Sequence, residues 1–267
     1  MIVSTSLVGD YFKEHDRHKF MGYQSAFMAI GGVFFVVGGG FLSDINWRFP
    51  FGIYFIGLVL LPFVILFLKE KKIESTQEEL SIDIGKNMLV VYFLAFIYML
   101  LFFILPTQIP FLLIEKFEAS GKMAGTVIAT AFFCNALGAI AFSKLKKYLN
   151  FIAIYLIGIT LMALGFSLVG VINHIYFFFI TSPILGFAGG IMMTNATAWM
   201  LSKTSHEKRV KSSGYFTSAI FLGQFLSPIV FHPFLDFLEI QDFFLYIGLS
   251  LFFVSFISFS ILKIRQK

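Results

Sequence analysis

Residues 16–31 read DRHKFMGYQSAFMAIG, and residues 208–223 read KRVKSSGYFTSAIFLG. Both carry the pattern R-x-K-x-x-G-Y-x7-G. Arg17, Lys19, Gly22, Tyr23 and Gly31 return as Arg209, Lys211, Gly214, Tyr215 and Gly223, at a constant offset of 192 residues. In each copy a short basic segment runs into a long uncharged one, as a chain does where it enters a bilayer. The repeat therefore predicts a membrane fold whose helices come in two related sets.

The composition points the same way. Of the 267 residues, 58% are hydrophobic and only 13% are charged, and the mean hydropathy is +0.87. A soluble domain carries about twice that charged fraction. No Asp, Glu, Lys or Arg occurs in 20–43, 49–68, 87–114, 123–143, 148–202, 212–235 or 243–262. A charge at the bilayer centre costs about 2.5–3.5 kcal/mol on insertion scales, and about 20 apolar residues cross the hydrocarbon as a helix. The run 148–202 is too long for one crossing and splits at Asn173-His174, its most polar dipeptide near the middle. This predicts an all-α integral membrane protein with eight transmembrane helices, at 20–43, 49–68, 87–114, 123–143, 149–172, 175–202, 212–235 and 243–262. A soluble fold would have to bury 38 Phe, more than a chain of this length can enclose. The uncharged segments are too long for barrel strands and do not alternate.

Seventeen of the 20 Lys and Arg fall in 13–19, 69–86, 144–147, 203–211 and 263–267, all on one side of the predicted spans. Arg48, Lys116 and Lys122 lie on the other. The positive-inside rule makes the rich side cytoplasmic, with both termini inside. The net charge of +5 then reflects topology and contact with anionic lipid, and gives no case for nucleic-acid binding. Cys134 is the single cysteine, which excludes a disulfide framework and reads as a small packing residue.

Residues 69–86 (KEKKIESTQEELSIDIGK) form a solvated linker between two spans and six. The repeat maps the first full span onto the seventh, so the repeating unit contains six helices, a known transporter architecture. Carried upstream, the offset sets Met1 against Met193 inside the sixth span. MIVSTSLVGDYF then reads as the inner end of a partial helix, and the expected domains are 1–68, the end of one six-helix bundle, and 87–267, a second bundle. A fragment, a late-start gene model and a naturally shortened relative all fit.

These features resemble the major facilitator superfamily from late in its fourth helix to its twelfth, an incomplete 12-helix fold. Asp16-Arg17-x4-Gly22 resembles the acidic-Arg-x4-Gly signature leading into helix five. The family's antiporter motif runs G-x8-G-x3-G-P-x2-G-G; Gly22, Gly31, Gly39 and Gly40 fit it, while Phe35 and Val36 replace the Gly-Pro pair. In the second copy Pro228 stands opposite Val36. Asn46-Trp47-Arg48-Phe49-Pro50-Phe51 resembles the start of helix six, and Leu105-Pro106-Thr107-Gln108-Ile109-Pro110-Phe111 the helix-seven end of bacterial efflux members. After helix eight, Ser143-Lys144-Leu145-Lys146-Lys147 keeps the family's basic residues but lacks its acid and second glycine. The resemblance implies a bacterial inner-membrane, multi-pass secondary transporter.

Two sets of residues are candidates for function. On a helix, Gly22, Ser25, Ala29, Gly32, Gly39, Gly40 and Ser43 fall within roughly 100° of arc. Such a stripe lets backbones approach closely, either as a fixed contact or as a seam that slides during alternating access. Asp16, Arg17 and Arg209, with Glu207 near the second copy, are either topology charges or inner-gate contacts; Gly214, Gly223 and Pro228 belong with them by the repeat. Gly186-x3-Gly190 is a second close-packing site. The other set is the polar residues inside spans: Gln24, Thr107, Gln108, Asn135, Asn195 and Gln224, with Thr130, Thr194 and Thr197. Each amide has helix–helix hydrogen bonding as its plainer role; together they are candidates for a cavity wall. Phe102, Phe103, Phe132, Phe133, Trp199 and Phe221 supply aromatic surface. Spans 49–68, 149–172 and 243–262 carry only Tyr, Ser and Thr and are expected to face lipid.

Such a wall suits a small, hydrophobic or drug-like solute better than a charged one. The expected function is transport of that solute by alternating access, as an exporter; the rival is a non-transporting eight-helix scaffold that binds a partner. Protons as coupling ion would need an ionisable group at depth. Every Asp and Glu lies at a span end or in a loop, so the resemblance places any such acid outside this chain. No H-E-x-x-H, Walker loop, CxxC or paired carboxylates occur, so neither an enzyme, a metal site nor a cofactor is expected.

Overall fold

The computed structural model describes residues 14–46, 48–67, 86–205 and 208–265. The linker 69–85, the segment MIVSTSLVGDYF, Trp47 and Glu207 lie outside the described residues. The regular structure among those described is all helical, with no strand among them. Within lipid this follows from hydrogen bonding, because only a helix or a closed barrel satisfies every backbone group internally.

Helix α1 covers Glu14–Ile45. A 3-10 helix over Phe49–Phe55 leads into α2, Ile56–Phe67. Then follow α3 (Lys86–Phe102), α4 (Ile104–Phe117), α5 (Gly121–Leu145), α6 (Phe151–Val171), α7 (Phe178–Ser202), α8 (Arg209–Leu235) and α9 (Ile240–Arg265). Seven helical stretches among the described residues are long and apolar enough to cross a membrane, and Phe49–Phe63 is a shorter apolar one. The division expected at Asn173-His174 is present: α6 ends at Val171, and a 3-10 turn over Ile175–Phe177 leads into α7.

Two predicted spans depart from single regular helices, and a proline accounts for the first. The span 87–114 is broken at Phe103, between α3 and α4, three residues before Pro106, whose ring and missing N–H disrupt the preceding turn. The span 49–68 begins as a 3-10 helix with Pro50 in its first turn. Its 7 residues at about 2 Å each and the 12 of α2 at about 1.5 Å each reach about 32 Å. That is the thickness of the hydrocarbon core.

Local signals set several ends. Ser120 caps α5 by accepting from the Met123 amide at 3.2 Å, and Asn150 caps α6 by accepting from the Ala153 amide at 2.8 Å. Glu118 closes α4 in the left-handed conformation, with φ of 51°, and the Ala119 amide reaches back to the Leu113 carbonyl at 3.0 Å.

Most of the principal helix contacts join helices that are not consecutive in the chain. α1 packs on α5, α5 on α7, α7 on α6 and α6 on α9; α3 packs on both α7 and α8. α6 was expected to face lipid, yet it lies between α7 and α9 and buries Ile154, Gly158, Met162, Ala163 and Phe166. The α2 and α9 helices keep large exposed aromatic surfaces, including Phe63, Phe253 and Phe256.

Candidate functional site

A cavity of about 190 Å³ lies between four helices. Met21, Gln24, Ser25, Met28 and Ala29 come from α1, Tyr98, Met99 and Phe102 from α3, Phe132 and Asn135 from α5, and Met193 and Thr197 from α7. Each helix contributes residues three or four apart, which share a face.

Close backbone approach brings these faces together. A β-carbon on Gly186 would collide with the Ala131 carbonyl, and one on Gly190 with the Asn135 carbonyl. Gly138 of α5 meets the Phe187 carbonyl in the same way. The predicted Gly186-x3-Gly190 site is thus the place where α7 crosses α5. Gly189, between those two glycines, leaves room for the Phe102 ring and sits beside the Asn135 amide.

The α1 stripe forms the seam with α5. A β-carbon on Gly22 would stand 2.8 Å from the Ala139 carbonyl oxygen, and one on Gly32 3.3 Å from the Phe132 ring. Ala26 and Ala29 cluster with Ala136, and a β-carbon on Gly40 would stand 3.8 Å from the Gly121 carbonyl oxygen. Gly31 and Gly39 meet nothing within 4 Å. In the second copy the use of the glycines is reversed. Gly223 is pressed against Phe96 and Leu100 of α3, while Gly214 meets nothing within 4 Å. Asp16 is exposed in the first turn of α1. Arg209 opens α8, and Pro228 lies inside it. The side chain of Arg17 is outside the described residues.

Of the amides singled out from sequence, Gln24 and Asn135 line this cavity, joined by Thr197. The Thr197 hydroxyl donates to the Met193 carbonyl at 2.9 Å, so its oxygen keeps lone pairs toward the space. Gln108 is buried within α4. Asn195 is fully buried and donates through Nδ2 to the Phe151 carbonyl at 3.0 Å, tying α7 to the start of α6. Gln224 is half-buried on α8. Pro106 and Pro110 leave the Phe102 and Pro106 carbonyls without their usual donors; the Thr107 hydroxyl donates to the Phe103 carbonyl at 2.8 Å, which also accepts the Thr107 amide at 3.3 Å. Thr107, Gln108, Asn195 and Gln224 are not among the cavity residues.

Among the predicted aromatics, Phe102 and Phe132 line the cavity. Trp199 stacks on Phe151 with ring centroids 5.7 Å apart and planes 4° from parallel, while Phe133 and Phe221 are exposed. Tyr98 and four methionines were not predicted. The spacing of Met21, Gln24, Ser25 and Met28 gives them one helix face, but nothing in the sequence says which helix faces it. No lining residue is ionisable near neutral pH, and among the described residues no cluster of His, Cys, Asp or Glu could hold a metal. The arrangement can enclose an apolar group and orient it with two amides and a hydroxyl.

No curated protein matches the chain. The family model for the Major Facilitator Superfamily matches residues 1–90 and 91–267. The chain, with its apolar helices long enough to cross a membrane, belongs to the major facilitator superfamily, a family of multi-pass membrane transport proteins.

Proposed function

We propose that this protein is a secondary transporter that exports a small, hydrophobic or drug-like solute by alternating access. The observation that carries the reading is the cavity itself. Methionine and aromatic walls adapt to varied apolar shapes, and Gln24, Asn135 and Thr197 offer a few hydrogen bonds without a fixed charge. The α1–α5 seam, built on Gly22 and Gly32, is the surface that would shift as the bundles rock.

The cavity's volume, about 190 Å³, is below the roughly 300–1,000 Å³ of ordinary ligand sites, in keeping with one wall of a larger space. By the 192-residue repeat, α8 seats on α3 through Gly223, and α1 holds the equivalent Gly31 open. In turn α1 seats on α5 through Gly22, and α8 holds Gly214 open. We read the two open positions as seats for helices equivalent to α3 and α5, with 1–68 and 87–267 as parts of two bundles joined by 69–86. The lysine and arginine asymmetry supports an orientation with both termini cytoplasmic, and the resemblance to bacterial efflux members supports a bacterial inner-membrane location. Coupling to protons would require an acid outside the described spans.

The test is transport by the protein expressed from its whole reading frame in a drug-sensitised bacterium. Gln24→Ala and Asn135→Ala should shift tolerance to hydrophobic toxic solutes several-fold while membrane levels hold. Gln224→Ala, an amide away from the cavity, should not. Unchanged tolerance across a panel of solutes in both cavity variants would remove the transport reading and leave the scaffold.

A further inference from the structure

Where α1 begins and α5 ends, a cleft of about 430 Å³ opens between the two helices. Lys19 and Tyr23 of α1 line it, with Ser143 and Lys144 of α5 and Lys146 and Lys147 just beyond. Four lysine side chains thus contribute to the wall of one cleft. Lys146 is engaged: its Nζ donates to the Leu149 carbonyl at 3.3 Å and lies 4.2 Å from the Phe151 ring centroid. Lys19, Lys144 and Lys147 are exposed, and among the described residues no carboxylate pairs with them. Neighbouring like charges repel, and an anion between them relieves the repulsion.

The depth of the cleft suggests the anion. Lys19 opens the apolar stretch Lys19–Leu42, and Lys144 stands at the end of the stretch Gly121–Leu145. The cleft therefore lies where hydrocarbon gives way to headgroups, the level at which basic pockets between helices meet lipid phosphates. Tyr23 is exposed there with its hydroxyl as a further donor, and tyrosine favours that level. Ile140, also in the cleft wall, offers an apolar side to an acyl chain.

We propose that this cleft binds a phosphate group, the phosphodiester of an anionic phospholipid, held by Lys19, Lys144 and Lys147 and linking α1 to α5. The site sits on the seam formed by Gly22 and Ala139, so its occupancy stabilises the contact between those helices. It does not depend on which solute the protein carries.

The experiment places the full chain in nanodiscs of phosphatidylcholine alone or of an equal mixture with phosphatidylglycerol. Native mass spectrometry reads retained lipid, and a thermal scan reads the unfolding midpoint. The unaltered protein should retain phosphatidylglycerol and unfold at a higher temperature in the mixture. The variant Lys19→Gln/Lys144→Gln/Lys147→Gln should lose most of that shift and retain about tenfold less phosphatidylglycerol. The variant Lys203→Gln/Lys208→Gln/Lys211→Gln removes the same charge at the same end of the bundle, outside the cleft, and should keep both. Equal losses in the two variants would mean diffuse attraction and overturn the cleft, as would indifference of the unaltered protein to phosphatidylglycerol. Inorganic phosphate alone reproducing the shift in phosphatidylcholine would reassign the site to a soluble anion and overturn the lipid.

Discussion

The backbone of Gly22 lies against the Ala139 carbonyl so closely that a β-carbon there would stand 2.8 Å from its oxygen, while Gly214, 192 residues on, faces open space. Two copies of one sequence pattern thus use different glycines for contact. Gly22→Ala and Gly223→Ala should each destabilise the protein by about 1–3 kcal/mol through overpacking. In this chain alone, without the helices proposed to seat there, Gly31→Ala and Gly214→Ala meet nothing and should be neutral or stabilising by up to about 1 kcal/mol, the helix-propensity gain. Reversible unfolding in mixed micelles measures all four, and similar values for both pairs would contradict the packing described.

The α5–α7 crossing leaves less room still. Gly190→Val would drive a branched side chain into the Asn135 carbonyl, and Gly186→Val into that of Ala131. Neither backbone segment can swing aside as a side chain can. Each change should cost about 3 kcal/mol or more and deplete folded protein. Size-exclusion profiles in detergent check this; a monodisperse Gly190→Val protein of unchanged stability would contradict the crossing.

The Thr160 and Ser255 hydroxyls lie 2.7 Å apart and join α6 to α9. Interhelical hydrogen bonds in membrane proteins average only about 0.6 kcal/mol, because the separated helices find other partners. A double-mutant cycle with Thr160→Val and Ser255→Ala should return a coupling of that size. A coupling indistinguishable from zero would show that the hydroxyls do not bond.

Glu118 holds a left-handed backbone at φ of 51° without being glycine. The left-handed conformation disfavours a β-carbon by about 1–2 kcal/mol, so Glu118→Gly should stabilise the α4–α5 hairpin by up to about 1 kcal/mol after glycine's greater unfolded-state freedom is deducted. A clear fall in unfolding midpoint would contradict this cap.

Span positions were legible because each depends on local polarity along the chain: the break near Asn173-His174, the caps Ser120 and Asn150, and the lysines flanking spans are all short-range facts. The glycine stripe on α1 was legible as a packing face for the same reason. Its partner was not, because helical periodicity gives a direction around one axis and says nothing about what stands there. The polar residues show the same limit. Gln24 and Asn135 meet across the α1–α5 seam at one cavity. Asn195 satisfies the Phe151 carbonyl instead, although by composition it was an equal candidate.

By itself the sequence determined that this chain is a multi-pass helical membrane protein, since the cost of charge in hydrocarbon acts residue by residue. Only the tertiary structure decided which glycines are in contact, which amides share a space and which lysines share a cleft. Those outcomes depend on how helices distant in the chain cross one another, and crossing is governed by the shapes of two surfaces at once.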